Sequence, residues 1–204
     1  MRVATMRKIE VIKMPVQIGA KAHNFTDPAG LLSDCHRRIE MFLAALQGIA
    51  EVIDVPPTAD VIQSLESALY YFAQAAPRHN ADEEDSLFPR LRQMGNCGID
   101  SALQRLDDLE AEHRWAVLLH ENVERLGKQY LSQQKLSPGE IDEFRRDIAL
   151  LAAMYEKHIS IEDDVILPLA NRVLTASDKA AIGKEMAARR GVRVVRENLG
   201  QNRQ

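Results

Sequence analysis

Two eleven-residue segments of the chain repeat each other and place ionisable side chains where a buried helix face is expected. They span residues 79–89 and 158–168, and each has histidine first, glutamate fifth, an acidic residue sixth, aspartate seventh and proline last. Residues four apart in an α-helix point to the same side. Each segment therefore offers one imidazole and one carboxylate at one place, and burying such a pair is costly unless something neutralises it.

Four long helical patterns joined by short connections account for most of the chain. Thr58 or Asp60 is a plausible cap for the second pattern, and Pro77 predicts a kink or a restart inside it. Ser137, followed by Pro138 and Glu140, opens the fourth pattern. The four predicted helices cover residues 28–52, 58–94, 100–131 and 138–174. Four such helices predict an all-α fold, an up-down-up-down four-helix bundle.

Both ends of the chain are expected to lie outside this bundle. Residues 1–27 are interpreted as an irregular N-terminal arm that could include a short strand at residues 8–13, because proline and glycine interrupt it. A shorter amphipathic helix over residues 177–190 is basic at its end, and it would cap the bundle or mediate formation of a homodimer. We therefore divide the chain into an arm (1–27), a bundle (28–174), and a short extra C-terminal helix with a tail (175–204).

Histidine occupies a position of the apolar stripe, where leucine would be expected, on all four predicted helices. The chain is organised as two helical hairpins, each with a lone histidine followed by a His-x-x-x-Glu pair. The predicted stripes are Leu32, His36, Ile39, Leu43 and Leu46 on helix 1; Leu65, Leu69, Phe72, Ala76, His79 and Glu83 on helix 2; Leu106, Glu110, His113, Val117 and His120 on helix 3; and Phe144, Ile148, Leu151, Tyr155, His158, Glu162, Val165 and Leu169 on helix 4.

Antiparallel packing of the two hairpins would bring four histidines and two glutamates to one level of one core. Two ionised glutamates facing each other would repel, and one would be driven to take up a proton. A pair of divalent cations between them removes that cost, because each cation would gain two nitrogens and two carboxylate oxygens and keep open positions. Such a mixed ligand set suits iron or manganese, while zinc is a further alternative and thiolate chemistry is not implied.

These residues resemble the hemerythrin-like, or HHE cation-binding, domain over residues 27–174, and residues 79–89 are especially similar to that family's second helix. The resemblance implies a non-haem di-iron centre in a four-helix bundle, with two iron ions ligated by histidine and bridged by carboxylates. By this match the terminal ligands would be His36, His79, His113 and His158, and the bridges would be Glu83 and Glu162.

One departure from the oxygen-carrying members of that family concerns Val117. The carriers have a second histidine at this position, so the site here has one ligand fewer, which disfavours reversible oxygen carriage. The number of candidate ligands, four histidines and two glutamates, is closer to that of the di-iron proteins linked to nitric-oxide stress and iron-centre repair. The resemblance thus implies a protein that binds or senses O₂, NO or peroxide, or that handles iron. The alternative is a di-iron oxidoreductase that reduces peroxide or NO with an external electron donor, or an iron donor in repair, and whether the chain is an enzyme stays open.

Several polar residues near the predicted ligands have two interpretations. Glu110 is either a seventh ligand or a carboxylate at the edge of the core that pairs with an arginine. Tyr155 would donate to a metal-bound species or serve as a core aromatic, and His120 is interpreted as a hydrogen-bonded core or channel histidine rather than a ligand. Asp85 and Asp164 could hydrogen-bond the ligand histidines. The more general interpretation is a solvated acidic rim made of Asp82, Glu84, Asp85, Asp163 and Asp164.

Composition excludes several other classes of protein. The chain has 26 Lys and Arg against 30 Asp and Glu, a formal net charge of −4, which argues against a broad basic face for nucleic acid or an anionic membrane. No run of apolar residues is long enough for a membrane span, and two cysteines are too few for a secreted disulfide scaffold. Because no signal peptide is recognisable either, we expect a cytoplasmic location.

Overall fold

The computed structural model describes residues 23–94 and 100–192, and every regular element within these ranges is helical, which confirms the all-α prediction. Two short π-helical segments, π1 (Glu83–Leu87) and π2 (Glu162–Ile166), interrupt the second and fourth long helices. The predicted strand at residues 8–13 lies outside the described residues. The α-helices are α1 (Pro28–Ala50), α2 (Ala59–Gln74), α3 (Ala76–Asp82), α4 (Phe88–Gln93), α5 (Asp100–Gln133), α6 (Pro138–Ile161), α7 (Leu167–Val173) and α8 (Ala176–Arg189).

The long helices form a closed bundle in which α1 and α5 each pack against both α2 and α6. Hydrogen bonds between α5 and α6 join His120 to Tyr155 and Gln129 to Glu140, so residue numbers rise along one helix and fall along the other. These two helices are therefore antiparallel. None of the helices in the described ranges has the length and apolar character needed to cross a membrane.

The helix ends follow from local sequence signals. Thr58 caps α2, because its side chain accepts a hydrogen bond from a backbone N–H in the first turn. Glu140 accepts hydrogen bonds from both the backbone N–H and the hydroxyl of Ser137, the cap residue just before the fourth long helix. At Pro77 the chain breaks and restarts: α2 ends at Gln74, and the proline lies in the first turn of α3.

The π-helical segments coincide with the repeated motif and end just before its prolines. A proline inside a helix lacks an N–H, and its ring clashes with the carbonyl four residues earlier. Here the helix widens instead of breaking, because the first N–H after each segment bonds to the carbonyl of the segment's glutamate five residues back. The sixth residue after each glutamate is Pro89 or Pro168. Such single π-turns within α-helices occur mostly at functional sites.

The predicted stripe on α5 is wrong in phase and that on the fourth long helix fails only at Val165, whereas the stripes on the first two helices are buried as predicted. The π-turn of π2 holds one extra residue, so the next buried position is Ile166, which is 1% exposed, and not Val165, which is 37% exposed. On α5 the buried positions step by three residues and then four, which places Leu109 and Ala116 in the core and leaves Val117 46% exposed. The predicted stripe took these steps in the opposite order.

The apolar core consists of two clusters with a polar layer between them. The larger cluster contains Phe144 and Tyr130, and the smaller one contains Phe88 and Ile182. Ile182 belongs to α8, which packs against α1, α3 and π1. The extra C-terminal helix is therefore confirmed as an element, and it covers one end of the bundle.

Gly183 marks a close approach between α8 and the chain before α1. A Cβ atom at this position would lie 1.8 Å from the carbonyl oxygen of Phe25. We expect Gly183→Ala to lower the free energy of unfolding by about 1–3 kcal/mol, because the backbone must move. In contrast, Gly48→Ala should raise it by about 0.5–1 kcal/mol, since Gly48 is helical and a Cβ there meets no atom within 4 Å. Urea denaturation measures both, and effects of the same sign would contradict this packing.

Candidate metal centre

Side chains from all four long helices meet in the polar layer between the two apolar clusters. Each of these side chains belongs to a residue that is at most 4% exposed. The structure thus brings together all six residues that the sequence pattern singled out as metal ligands. They are His36 from α1, His79 from α3, Glu83 from π1, His113 from α5, His158 from α6 and Glu162 from π2.

The six residues form two groups that share both glutamates. We call the first, with His36 and His79, the His36 group, and the second, with His113 and His158, the His113 group. Within each group the candidate ligand atoms all lie within 4.8 Å of one another. Each group therefore offers two imidazole nitrogens and two carboxylate oxygens to one ion.

Each glutamate turns its two oxygens towards different groups. Oε1 of Glu83 lies 3.3 Å from Nε2 of His79, while its Oε2 lies 3.4 Å from Nε2 of His113. The oxygens of Glu162 lie 3.1 and 3.3 Å from the Nε2 atoms of the other two histidines. A carboxylate that faces two sites in this way has the geometry of a bridge.

Carboxylates orient three of the four histidines through the ring nitrogen that faces away from the cluster. Asp85 and Asp164, for which this role is the alternative to a solvated rim, do not have it. The Asp85 side chain is 68% exposed, and Asp164 accepts a hydrogen bond from Ser160 of its own helix at 2.9 Å. The observed pairs are Asp163 with His36 at 2.8 Å, Glu84 with His113 at 2.7 Å and Glu112 with His158 at 2.8 Å.

In the sequence, each of these orienting carboxylates directly neighbours a residue of the cluster. Glu84 and Asp163 directly follow the two glutamates of the cluster, and this position turns them towards the neighbouring helix. They are therefore not part of a merely solvated rim. Glu112 directly precedes His113, yet it reaches His158 on α6, and we did not predict it. Outer carboxylates of this kind fix the tautomer of a ligand histidine and raise its basicity.

Unpartnered atoms show that the cluster fits cations. The Nε2 atoms of His113 and His158 lie 3.0 Å apart inside the cluster, while the outer nitrogen of each ring lies against a carboxylate. Among the described residues, no hydrogen-bond partner exists for Nε2 of His36 or for any carboxylate oxygen of Glu83 and Glu162. Buried groups of this kind are costly to leave unpaired, and a cation bound between them removes the cost.

Burial and mutual repulsion separate the protonation of the two glutamates. Burial and the charge of Glu162 raise the pKa of Glu83 to about 8. Burial also acts on Glu162, but the imidazoles of His158 and His36 beside its carboxylate outweigh it and hold its pKa well below the usual range. At neutral pH one glutamate of the protein alone therefore keeps a proton, and a cation that binds there must displace it.

The three neighbouring residues that we singled out lie beside the cluster. Glu110 belongs to neither group, because its carboxylate accepts a hydrogen bond from Arg92 at 2.7 Å. Nε2 of His120 lies 3.0 Å from the hydroxyl of Tyr155, and the His120 ring stacks on Phe72. His120 and Tyr155 thus form a hydrogen-bonded pair next to the His113 group.

Asp82 is fully buried, which corrects its assignment to a solvated rim. Its carboxylate lies 2.9 Å from Nη1 of Arg189 and 2.6 Å from Nη2 of Arg190, and Arg189 also donates to the hydroxyl of Ser86 at 2.8 Å. Because Asp82 directly precedes Glu83, these ion pairs tie α8 to the helix that carries half of the cluster.

The fold and the cluster together define a helical bundle with a buried His/Glu metal site. The chain belongs to the hemerythrin HHE cation-binding domain family, whose model matches residues 27–170. The family resemblance stated from the sequence is thereby confirmed, and cation binding is the property that the family and the cluster have in common.

A curated relative adds no named activity. An uncharacterised protein of Haemophilus influenzae is 29% identical over 170 residues, which are 83% of this chain and 93% of that protein. No solved structure gives a significant match.

Proposed function

We propose that the His36 group and the His113 group each hold one iron ion and that Glu83 and Glu162 bridge the two ions. A single observation carries this proposal: both buried carboxylates are shared between two pairs of histidines, and none of their four oxygens has a hydrogen-bond partner. Nitrogen and oxygen ligands with open positions suit iron or manganese better than zinc, which favours a closed tetrahedron at structural sites.

The chain's own residues prepare the site for a small ligand. A di-iron centre, when bound, supplies coordination positions for O₂, NO or a peroxide and can exchange electrons with it. Asp163, Glu84 and Glu112 keep the outer ring nitrogens protonated, so the Nε2 atoms remain free as ligands. The two apolar clusters exclude bulk water from above and below the layer. We propose binding or sensing of such a ligand, or handling of iron, as the function.

An oxidoreductase that reduces peroxide or NO is the second candidate. The pair formed by His120 and Tyr155 favours it, because a hydroxyl in a buried hydrogen bond next to the His113 group can hold a proton for a ligand there. Electrons would come from an external donor. An iron donor for damaged iron centres is a further alternative, and it would release its metal readily.

Metal analysis of protein purified anaerobically from iron-supplemented cells tests the proposal. We expect about two irons per chain, as the ligand set predicts. Titration with O₂, NO and hydrogen peroxide then separates the alternatives: stoichiometric spectral changes without turnover support binding or sensing, and sustained consumption of peroxide or NO with a reductant supports the enzyme. A single zinc ion per chain would contradict the di-iron assignment, and protein without metal under these conditions would favour the iron donor that releases its metal.

A further inference from the structure

A cavity of about 290 Å³ lies next to the His113 group. Helices α2, α3 and α5 form most of its wall, and Tyr155 contributes from α6. Buried side chains such as Phe72 and Leu46 form the floor, whereas Val117 and Glu121 belong to the exposed rim. His113 itself is part of the wall, so the cavity reaches the candidate metal centre.

The volume of this cavity exceeds what a diatomic gas or hydrogen peroxide requires. One water molecule occupies about 30 Å³ in the liquid, and an apolar cavity of about 150 Å³ accepts benzene. The cavity beside His113 has nearly twice the latter volume. It is therefore large enough for an organic molecule somewhat larger than benzene.

The lining specifies the chemistry of that molecule. Leu46, Leu69 and Phe72 offer an apolar surface, and the main buried hydroxyl is that of Tyr155. A phenol can both donate and accept, and the bond to His120 uses one of these capacities, so the other stays available to a ligand.

The charges around the cavity disfavour ions. Burial lowers the pKa of His120 to about 4, so its ring is neutral at physiological pH. Glu121 and Glu124 line the rim; the carboxylate of Glu124 pairs with Lys128 at 2.6 Å, and the charge of Glu121 would repel an anion. A cation would lose its hydration against an apolar floor without a buried carboxylate to pair with. The preferred occupant is therefore uncharged.

We propose that this cavity binds a neutral, largely apolar organic molecule that carries one hydroxyl or hydroperoxide group. Its apolar part would lie against Leu46, Leu69 and Phe72, and its oxygen would hydrogen-bond to Tyr155. The inference rests on the proposed function only in that a hydroperoxide held there would face the iron site, and binding itself does not depend on the metal. It extends the peroxide alternative from hydrogen peroxide to organic peroxides.

An NMR titration of the purified full-length protein with cumyl alcohol tests the inference. This alcohol has the carbon skeleton of a tertiary hydroperoxide and does not oxidise the protein. Isopropylbenzene, which lacks the hydroxyl, and benzoate, which is an anion, serve as comparison probes. We expect saturable binding of the alcohol, weaker binding of isopropylbenzene and no measurable binding of benzoate.

Three variants locate the binding site. Val117→Trp should weaken binding of the alcohol at least about tenfold by filling the rim, whereas Leu118→Trp, at the next and more exposed position outside the wall, should change it less than about twofold. Tyr155→Phe should weaken binding of the alcohol by about fivefold and leave that of isopropylbenzene unchanged, because it removes one hydrogen bond.

Several outcomes would overturn the inference: absence of saturable binding, equal binding by Val117→Trp and the original chain, or benzoate binding as tightly as the alcohol. Iron analysis of the same samples separates this test from that of the proposed function. Alcohol binding by a chain without iron would support the cavity and contradict the di-iron function. A chain that holds two irons and binds no alcohol would support the di-iron function and contradict the inference about the cavity.

Discussion

Replacing Glu83 or Glu162 with glutamine is expected to reduce the iron content from about two ions per chain to about one or fewer, since neutral amides are poor substitutes for bridging carboxylates. Each glutamate serves both groups, so a single substitution removes charge next to both ions. The amide would also direct an N–H₂ donor into the cluster, where a cation repels it. The measurement is the ratio of iron to protein after anaerobic purification.

Glu110→Gln is the matched control for this pair of variants. Glu110 lies on the same stretch of α5 as His113, but its carboxylate pairs with Arg92 and belongs to neither group. Its variant should retain about two ions, because no candidate ligand is lost. If Glu83→Gln and Glu162→Gln both retain two ions as well, the bridging assignment is wrong. Unfolding measurements on the metal-free variants separate lost ligands from lost folding.

Replacing Asp82 with alanine is expected to lower the free energy of unfolding by about 3 kcal/mol. The carboxylate is fully buried and pairs with Arg189 and Arg190, so its removal leaves two guanidinium groups at the edge of the core without their shared partner. The loss should also loosen α8 from the helix that carries Glu83. Urea denaturation of the metal-free protein measures the first effect.

Asp85→Ala provides the comparison for that variant. Asp85 is three residues further along and approaches Arg189 to 3.7 Å, but its side chain is 68% exposed. Its substitution should change stability by no more than about 0.5 kcal/mol. Similar losses of stability in both variants would contradict the prediction, because they would show that the buried ion pairs of Asp82 stabilise the protein no more than the exposed Asp85 does.

The helical architecture could be predicted because its signals are local. Capping residues and prolines set where helices begin, and apolar spacing identified which face of α1 and α2 is buried. The phase of the stripe on α5 could not be decided from spacing alone. Val117 and Ala116 are both small and apolar, and only packing against neighbouring helices determines which one faces inward.

The ligand cluster was predictable because ionisable residues on an apolar face have few explanations. Its surroundings were less so, since they depend on contacts between distant parts of the chain. Glu112 orients His158, which is far away in sequence, and Asp82 is buried only because α8 folds back over it. The sequence contains one indication of the π-helical segments, the proline at the end of each repeat, but this proline alone does not predict a π-turn.

The two π-helical segments also show that each of their helices holds one residue more than a continuous α-helix would need at this place. A π-turn holds one residue more than an α-turn, so loss of a single residue from π1 would let the helix close into a continuous α-helix. His79 and Glu83 would keep their spacing, and Phe88 would become the fourth residue after Glu83 instead of the fifth, on the same face of the helix. Phe88 and Leu91 would therefore stay in the smaller apolar cluster. In the history of such a gene, a one-codon deletion here would leave both the ligands and the apolar end of the bundle in place.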